Sequence, residues 1–244
     1  MIRVYEKLFS RPEKTISEII NGKTSITPES ATQFEQVLGV PTEFWLKLEF
    51  DYQTTKAQLK TKANIESQYA ELTEFPYAEM AKWGWVAATR KKDEKVEELL
   101  RFFGVVFLKN IRTIESAAFR KSRKRKASPQ ALSAWLRKGE LNAQRIDTKP
   151  YNRTAFVEAI DDVRGLTRIN IGTATENLKG LFAECGVALV FVPHLSKTYA
   201  NGAARWLSPD KALVQLSIRN RHEDIFWFTL LHECAHILQN RKKH

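Results

Sequence analysis

The 244-residue sequence has only two cysteines, Cys185 and Cys234, so it carries no disulfide framework and suits a reducing compartment. Long apolar runs are missing too. The longest unbroken one is Val187–Val192, and residues 225–231 are interrupted by Thr229, whereas a membrane-spanning helix needs about 20 apolar residues. The opening MIRVYEKLFS lacks the apolar core of a signal peptide, so a cytoplasmic protein with no membrane partner is expected. No internal repeat or low-complexity tract is present. What remains, 43% hydrophobic and 27% charged residues, is the composition of a globular chain with room for one large domain or two small ones.

Acidic residues are scarce relative to basic ones, 28 against 39, giving a formal charge of +11. The excess is local. Residues 1–62 are net +1, 63–118 net −1, 119–153 net +9 and 154–244 net +2. Arg120, Lys121, Arg123, Lys124, Arg125 and Lys126 lie within seven positions. Such a run can contact phosphates, but no aromatic residue is interleaved for base stacking, so a solvated loop fits at least as well.

Punctuation residues divide the chain. Arg11-Pro12 predicts a helix over 12–20 that closes at Asn21-Gly22, and Thr27-Pro28 opens a second that ends at Gly39. Pro41 opens a third, with Phe44, Trp45, Leu48 and Tyr52 at helical spacing and a polar tail reaching about Glu66. Asp93 caps a helix ended by Gly104, Ser128-Pro129 starts another, and 152–166 and 173–185 read as two more, the last closed by Gly186. The period then changes to two in GVALVFVP, 202–207 and ALVQLSI, which read as short strands. A final apolar helix, FWFTLLHECAHILQ, follows. The expected fold is α+β: an all-helical part over 1–62, a helical connecting region over 63–153, and a small sheet with a last helix over 154–244.

That last helix carries His232-Glu233-Cys234-Ala235-His236. A spacing of four places both imidazoles on one helix face, where they can bind one Zn²⁺. The metal lowers the pKa of its bound water towards neutrality, and Glu233 stands beside it as general base. A hydrolytic zinc site wants a third protein ligand. His194, His222, Glu223, Asp224 and His244 are the candidates, and none is placed at the site by sequence alone.

Two stretches resemble a known architecture. RPEKTISEIINGKTSITPESATQFEQVLGVPTEFWLKLEFDY is similar to the second half of an XRE-type helix-turn-helix, in the version shared with HigA-type antitoxins. The stretch from Gly186 through FWFTLLHECAHIL resembles the ImmA/IrrE family of metallopeptidases, which implies a zincin-like domain. AFRKSRKRKASPQALSAWLRKGE and NGAARWLSPDKALVQLS also resemble regulators that fuse the two. The resemblance implies His232 and His236 as zinc ligands and Glu233 as base. It implies a recognition helix carrying Arg11, Glu13, Lys14, Thr15, Ser17 and Glu18 to operator DNA in the major groove, with Asn21, Lys23 and Thr24 near the backbone.

The chain departs from the family at both ends. Only MIRVYEKLFS precedes the recognition helix, Phe9-Ser10 stands where the family usually has Leu-Gly, and no acidic third ligand follows the HExxH helix. The expectation is a regulator shortened at both ends, with weak zinc binding, impaired DNA binding, and Ile16, Ile19 and Ile20 exposed in a way that invites a homodimer. Two further functions fit the same residues. One is an active zinc endopeptidase that cleaves a partner repressor, with ALVQLSI aligning the extended substrate. The other is a non-catalytic module that neutralises a small toxin by contact.

Overall fold

The computed structural model describes residues 13–111, 128–166, 171–217 and 223–239. Arg11, the basic run 120–126, His222 and His244 therefore lie outside the described residues, and Glu13 is described by its backbone alone. The chain is α+β, with ten α-helices among the described residues and one three-stranded sheet. It separates into two compact units, 1–67 and 68–244.

The first unit contains α1 (Glu13–Ile20), α2 (Pro28–Leu38) and α3 (Thr42–Glu66). Its caps are those expected from the sequence. The Thr27 hydroxyl accepts from the Ser30 N–H, Pro28 occupies the first turn of α2, and Gly39 ends it in the left-handed conformation. A small core joins Ile16 and Phe34, with Ile19, Ile26, Val37 and Trp45 packed around them, and the Trp45 ring meets Phe34 edge-on at 5.2 Å. The exposure expected of Ile16, Ile19 and Ile20 is thus corrected: Phe34 and Trp45 cover the first two, and only Ile20 stays in solvent.

Glu35, near the end of α2, accepts hydrogen bonds from the Thr42 N–H at 2.9 Å and from the Thr42 hydroxyl, joining it to the start of α3. The side-chain bond first, then the backbone one, holds the Glu35 carboxyl below its ordinary value. A lowered carboxylate stabilises the fold above its unfolded pKa, about 4.3, and that contribution is lost as pH falls through the folded value. Thermal melts should therefore show wild type more stable than Glu35→Gln at neutral pH, with the gap closing below pH ~4. A pH-independent gap would contradict the assignment.

The second unit contains α4 (Tyr69–Leu72), α5 (Tyr77–Lys82), α6 (Lys92–Phe103), a 3₁₀ turn (Leu108–Asn110), α7 (Pro129–Gln144), α8 (Arg153–Leu166), α9 (Ile171–Glu184), β1 (Val187–Val192), β2 (Gly202–Ser208), β3 (Lys211–Ser217) and α10 (Glu223–Gln239). The strand order is β1-β3-β2, with β1 parallel and β2 antiparallel to β3. Alternation along the strands sends two sets of residues to opposite faces. Val187, Leu189, Ala212, Val214 and Leu216 join Phe156, Phe182, Leu230 and Ile237 from α8, α9 and α10. On the other face lies α7, part of the region expected only to connect. The fully buried Gln215 Nε2 donates to the Trp135 carbonyl at 2.7 Å, and Trp135 Nε1 donates to the Val192 carbonyl at 3.2 Å.

This order corrects one expectation. Residues 212–217 of ALVQLSI lie in β3, the central strand, and both of its edges are occupied by β1 and β2. It has no free edge on which to align a substrate. Among the described residues, β2 is the strand beside α10 that has a single strand neighbour.

Candidate metal centre

An apolar face of α10 explains where its functional residues point. Leu230, Cys234 and Ile237 are buried in the core, which fixes the helix rotation and leaves His232 and His236 together on the outer side. Their Nε2 atoms are 3.1 Å apart, with ring centroids at 4.6 Å and planes at 83°. The Phe228 ring, one turn earlier, lies nearly parallel to His232 with centroids 6.0 Å apart.

Glu233 is placed differently. It is only 8% exposed and lies under the first residue of β2. A Cβ on Gly202 would fall 2.7 Å from Glu233 Cγ, 2.7 Å from Thr229 Cγ2 and 2.9 Å from Glu233 Oε1, so only glycine lets the strand come this close. Burial pushes the Glu233 carboxyl above its ordinary value, while the neighbouring His232 pulls it back down. Gly202 and Thr229, with Asn201, Asp224, Ile225, Phe228, His232 and Glu233, line an open cleft of about 490 Å³. The sequence motif by itself does not place Gly202 at the site. The available signal was a lone glycine inside a strand pattern, which marks a close backbone approach.

Two nitrogens held at about 2.0–2.1 Å from a tetrahedral Zn²⁺ stand about 3.3 Å apart. The histidine pair therefore fits two positions of such a shell with little rearrangement. Among the described residues, no group of three or more His, Cys, Asp and Glu side chains is gathered to hold a metal ion. Of the other candidates, His194 is exposed just after β1 and is not part of the cleft lining. Asp224 lines the cleft, but eight residues of helix put it about 12 Å along the axis from His232. Glu223 precedes it on the same first turn. Cys234 faces the core, and burial, then the Glu233 charge, push its thiol up to about 12, so it stays protonated and is no ligand.

No protein family, curated protein or solved structure matches the chain.

The residues expected to approach DNA cluster on α1 and the turn after it. Lys14, Asn21, Lys23 and Thr24 are exposed, and Thr15, Ser17 and Glu18 are half-buried. They largely satisfy one another. Asn21 Nδ2 donates to the Ser17 carbonyl at 2.7 Å, the Thr24 hydroxyl donates to Glu18 at 3.4 Å, and Lys14 pairs with Glu18 at 3.8 Å. No helix among the described residues is long and apolar enough to cross a membrane.

Proposed function

We propose that the chain is a cytoplasmic, DNA-binding transcriptional regulator, related to HigA-type antitoxins, whose second unit carries an ImmA/IrrE-type zinc-peptidase centre. The observation that carries this is the His232–His236 pair, 3.1 Å apart beside a Glu233 buried under Gly202. Burying the Glu233 carboxylate beside this pair is costly to fold unless something uses it.

In this reading His232 Nε2 and His236 Nε2 hold the metal. When bound, Zn²⁺ supplies an acidified water and polarises the scissile carbonyl. Glu233 takes the proton from the attacking water at a carboxylate oxygen and passes it to the leaving amine. Its burial favours that exchange, since a raised carboxyl pKa lies nearer to neutrality. β2 lies beside α10, with its first residue Gly202 at the cleft, and a partner repressor is the proposed substrate. Two histidines fill only half of a tetrahedral shell, so the metal is held weakly and turnover is low.

The first unit is proposed as the DNA-reading part, with α1 in the major groove. Because the unit is nearly neutral and Lys14 is paired with Glu18, its attraction for phosphates is modest. A gel shift with the upstream region of the coding sequence should show modest binding that weakens as salt rises. Lys14→Ala should weaken it by a similar factor on every sequence. Absence of binding at low salt would contradict the DNA assignment. The peptidase assignment is tested separately by incubating the purified chain with the repressor encoded beside it. Cleavage should require added zinc and stop with a chelator, and cleavage indifferent to both would contradict it.

A further inference from the structure

Asp224, Phe228 and His232 follow one another along α10 at intervals of four residues, which sets them in one row on the same helix face. All three line the cleft and all three are exposed, Phe228 at 72%. Four residues of helix advance about 6 Å, so the row passes from imidazole to aromatic ring to carboxylate in two steps of that size. An extended peptide advances about 3.3 Å per residue and returns a side chain to the same face every second residue, a step of about 6.6 Å. The two repeats nearly match. A strand lying along this face of α10 sets alternate side chains against His232, Phe228 and Asp224 in turn.

Each step of the row offers different chemistry. Phe228 lies within 15° of parallel to the His232 ring, and its exposure leaves most of its surface free to pack on an apolar side chain. The described cleft lining holds Asp224 and Glu233 and neither Lys nor Arg, in a chain whose formal charge is +11. Glu233 is buried beneath Gly202, so Asp224 is the lining carboxylate that a cation on a ligand meets. Opposite charge favours Lys or Arg at that position and disfavours Asp or Glu.

We propose that Phe228 and Asp224 select the segment this cleft holds: an apolar side chain beside Phe228 and, two positions further from the histidine pair, a Lys or Arg beside Asp224. The inference rests on reading the cleft as a peptidase site and adds the class of peptide it takes, an extended stretch of apolar-x-basic pattern. Neither residue takes part in the reaction; both decide which segment is bound.

The test is equilibrium binding of fluorescently labelled ten-residue peptides to the full-length chain, followed by anisotropy with a chelator present so that nothing is cut. The peptides share a Gly-Ser host and carry Leu-Ser-Arg, Leu-Ser-Glu or Ser-Ser-Arg at the centre. Leu-Ser-Arg should bind roughly fivefold tighter than Leu-Ser-Glu, against the order that a positively charged chain imposes on peptides at large. Asp224→Lys should reverse that preference, while Glu97→Lys, the same charge change outside the cleft lining, should keep it. Phe228→Ala should weaken Leu-Ser-Arg to the level of Ser-Ser-Arg and leave the preference for Arg over Glu in place. No binding by any of the peptides, equal binding of the Arg and Glu peptides, or an Arg preference that survives Asp224→Lys would overturn the proposal. Zinc-dependent cleavage of the same peptides reads the peptidase assignment separately. Binding in the stated order without cleavage would remove the enzyme and keep the selectivity, and cleavage indifferent to the Arg-to-Glu exchange would keep the enzyme and overturn the selectivity.

Discussion

Glu233→Gln is expected to lower zinc-dependent hydrolysis by roughly 10²–10⁴-fold, the range carried by a positioned general base. The substitution is nearly isosteric, so the contacts beneath Gly202 and beside Thr229 survive. Neither histidine is touched, and zinc content should stay at the wild-type level. The amide cannot accept a proton at neutral pH, which separates loss of the base from loss of the metal. Because the native carboxyl is buried, the variant also removes the cost of charging it, and thermal stability of the metal-free chain should not fall. Wild-type turnover in Glu233→Gln would remove this residue from the mechanism.

The second large effect is expected at Gly186, where α9 ends and β1 begins. Its φ of +82° is a left-handed conformation, and a Cβ there would fall 2.2 Å from Tyr151 Cα and 2.4 Å from Tyr151 N. Those atoms are backbone and are themselves tied down. The Tyr151 N–H donates to the Asp210 carbonyl at 2.8 Å, and the Asn152 N–H donates to Cys185 at 3.1 Å. The Gly186 carbonyl in turn accepts from Ala212, fixing the start of the β1–β3 pairing. Gly186→Ala should therefore cost about 1–2 kcal/mol for the conformation and about 1–3 kcal/mol for the forced displacement. Urea unfolding should show a lower midpoint at constant m-value. A midpoint within error of wild type would mean that the 150–152 segment does not pass this close.

Much of this was legible in the sequence because it is local chemistry. Thr27-Pro28, Gly39, Ser128-Pro129, Gly104 and Gly186 mark helix ends through hydrogen bonds and φ values that neighbouring residues alone decide. The two-residue period likewise located all three strands. The histidine pair was legible for the same reason, since a spacing of four on any helix brings two side chains together.

What escaped depends on partners distant in sequence. Nothing within ALVQLSI says that two other strands flank it. Nothing around Gly202 names Glu233, 31 positions later, as the side chain it must accommodate. The division of α3 into Trp45 inside and Phe44 and Leu48 outside follows from where Phe34 sits. The region 63–153 reads as a connection because its helices are only weakly periodic, yet Trp135 of α7 is fully buried against the sheet.

The central claim is that His232 and His236 are a metal pair and not two surface histidines. Zinc bound by the purified chain in equilibrium dialysis against micromolar Zn²⁺ tests it most directly, because a weakly held metal leaves on desalting. Wild type should retain zinc, His232→Ala and His236→Ala should each lose it, and His194→Ala, outside the cleft, should keep it. Equal zinc in wild type and His236→Ala, or none in any of them, would contradict the account.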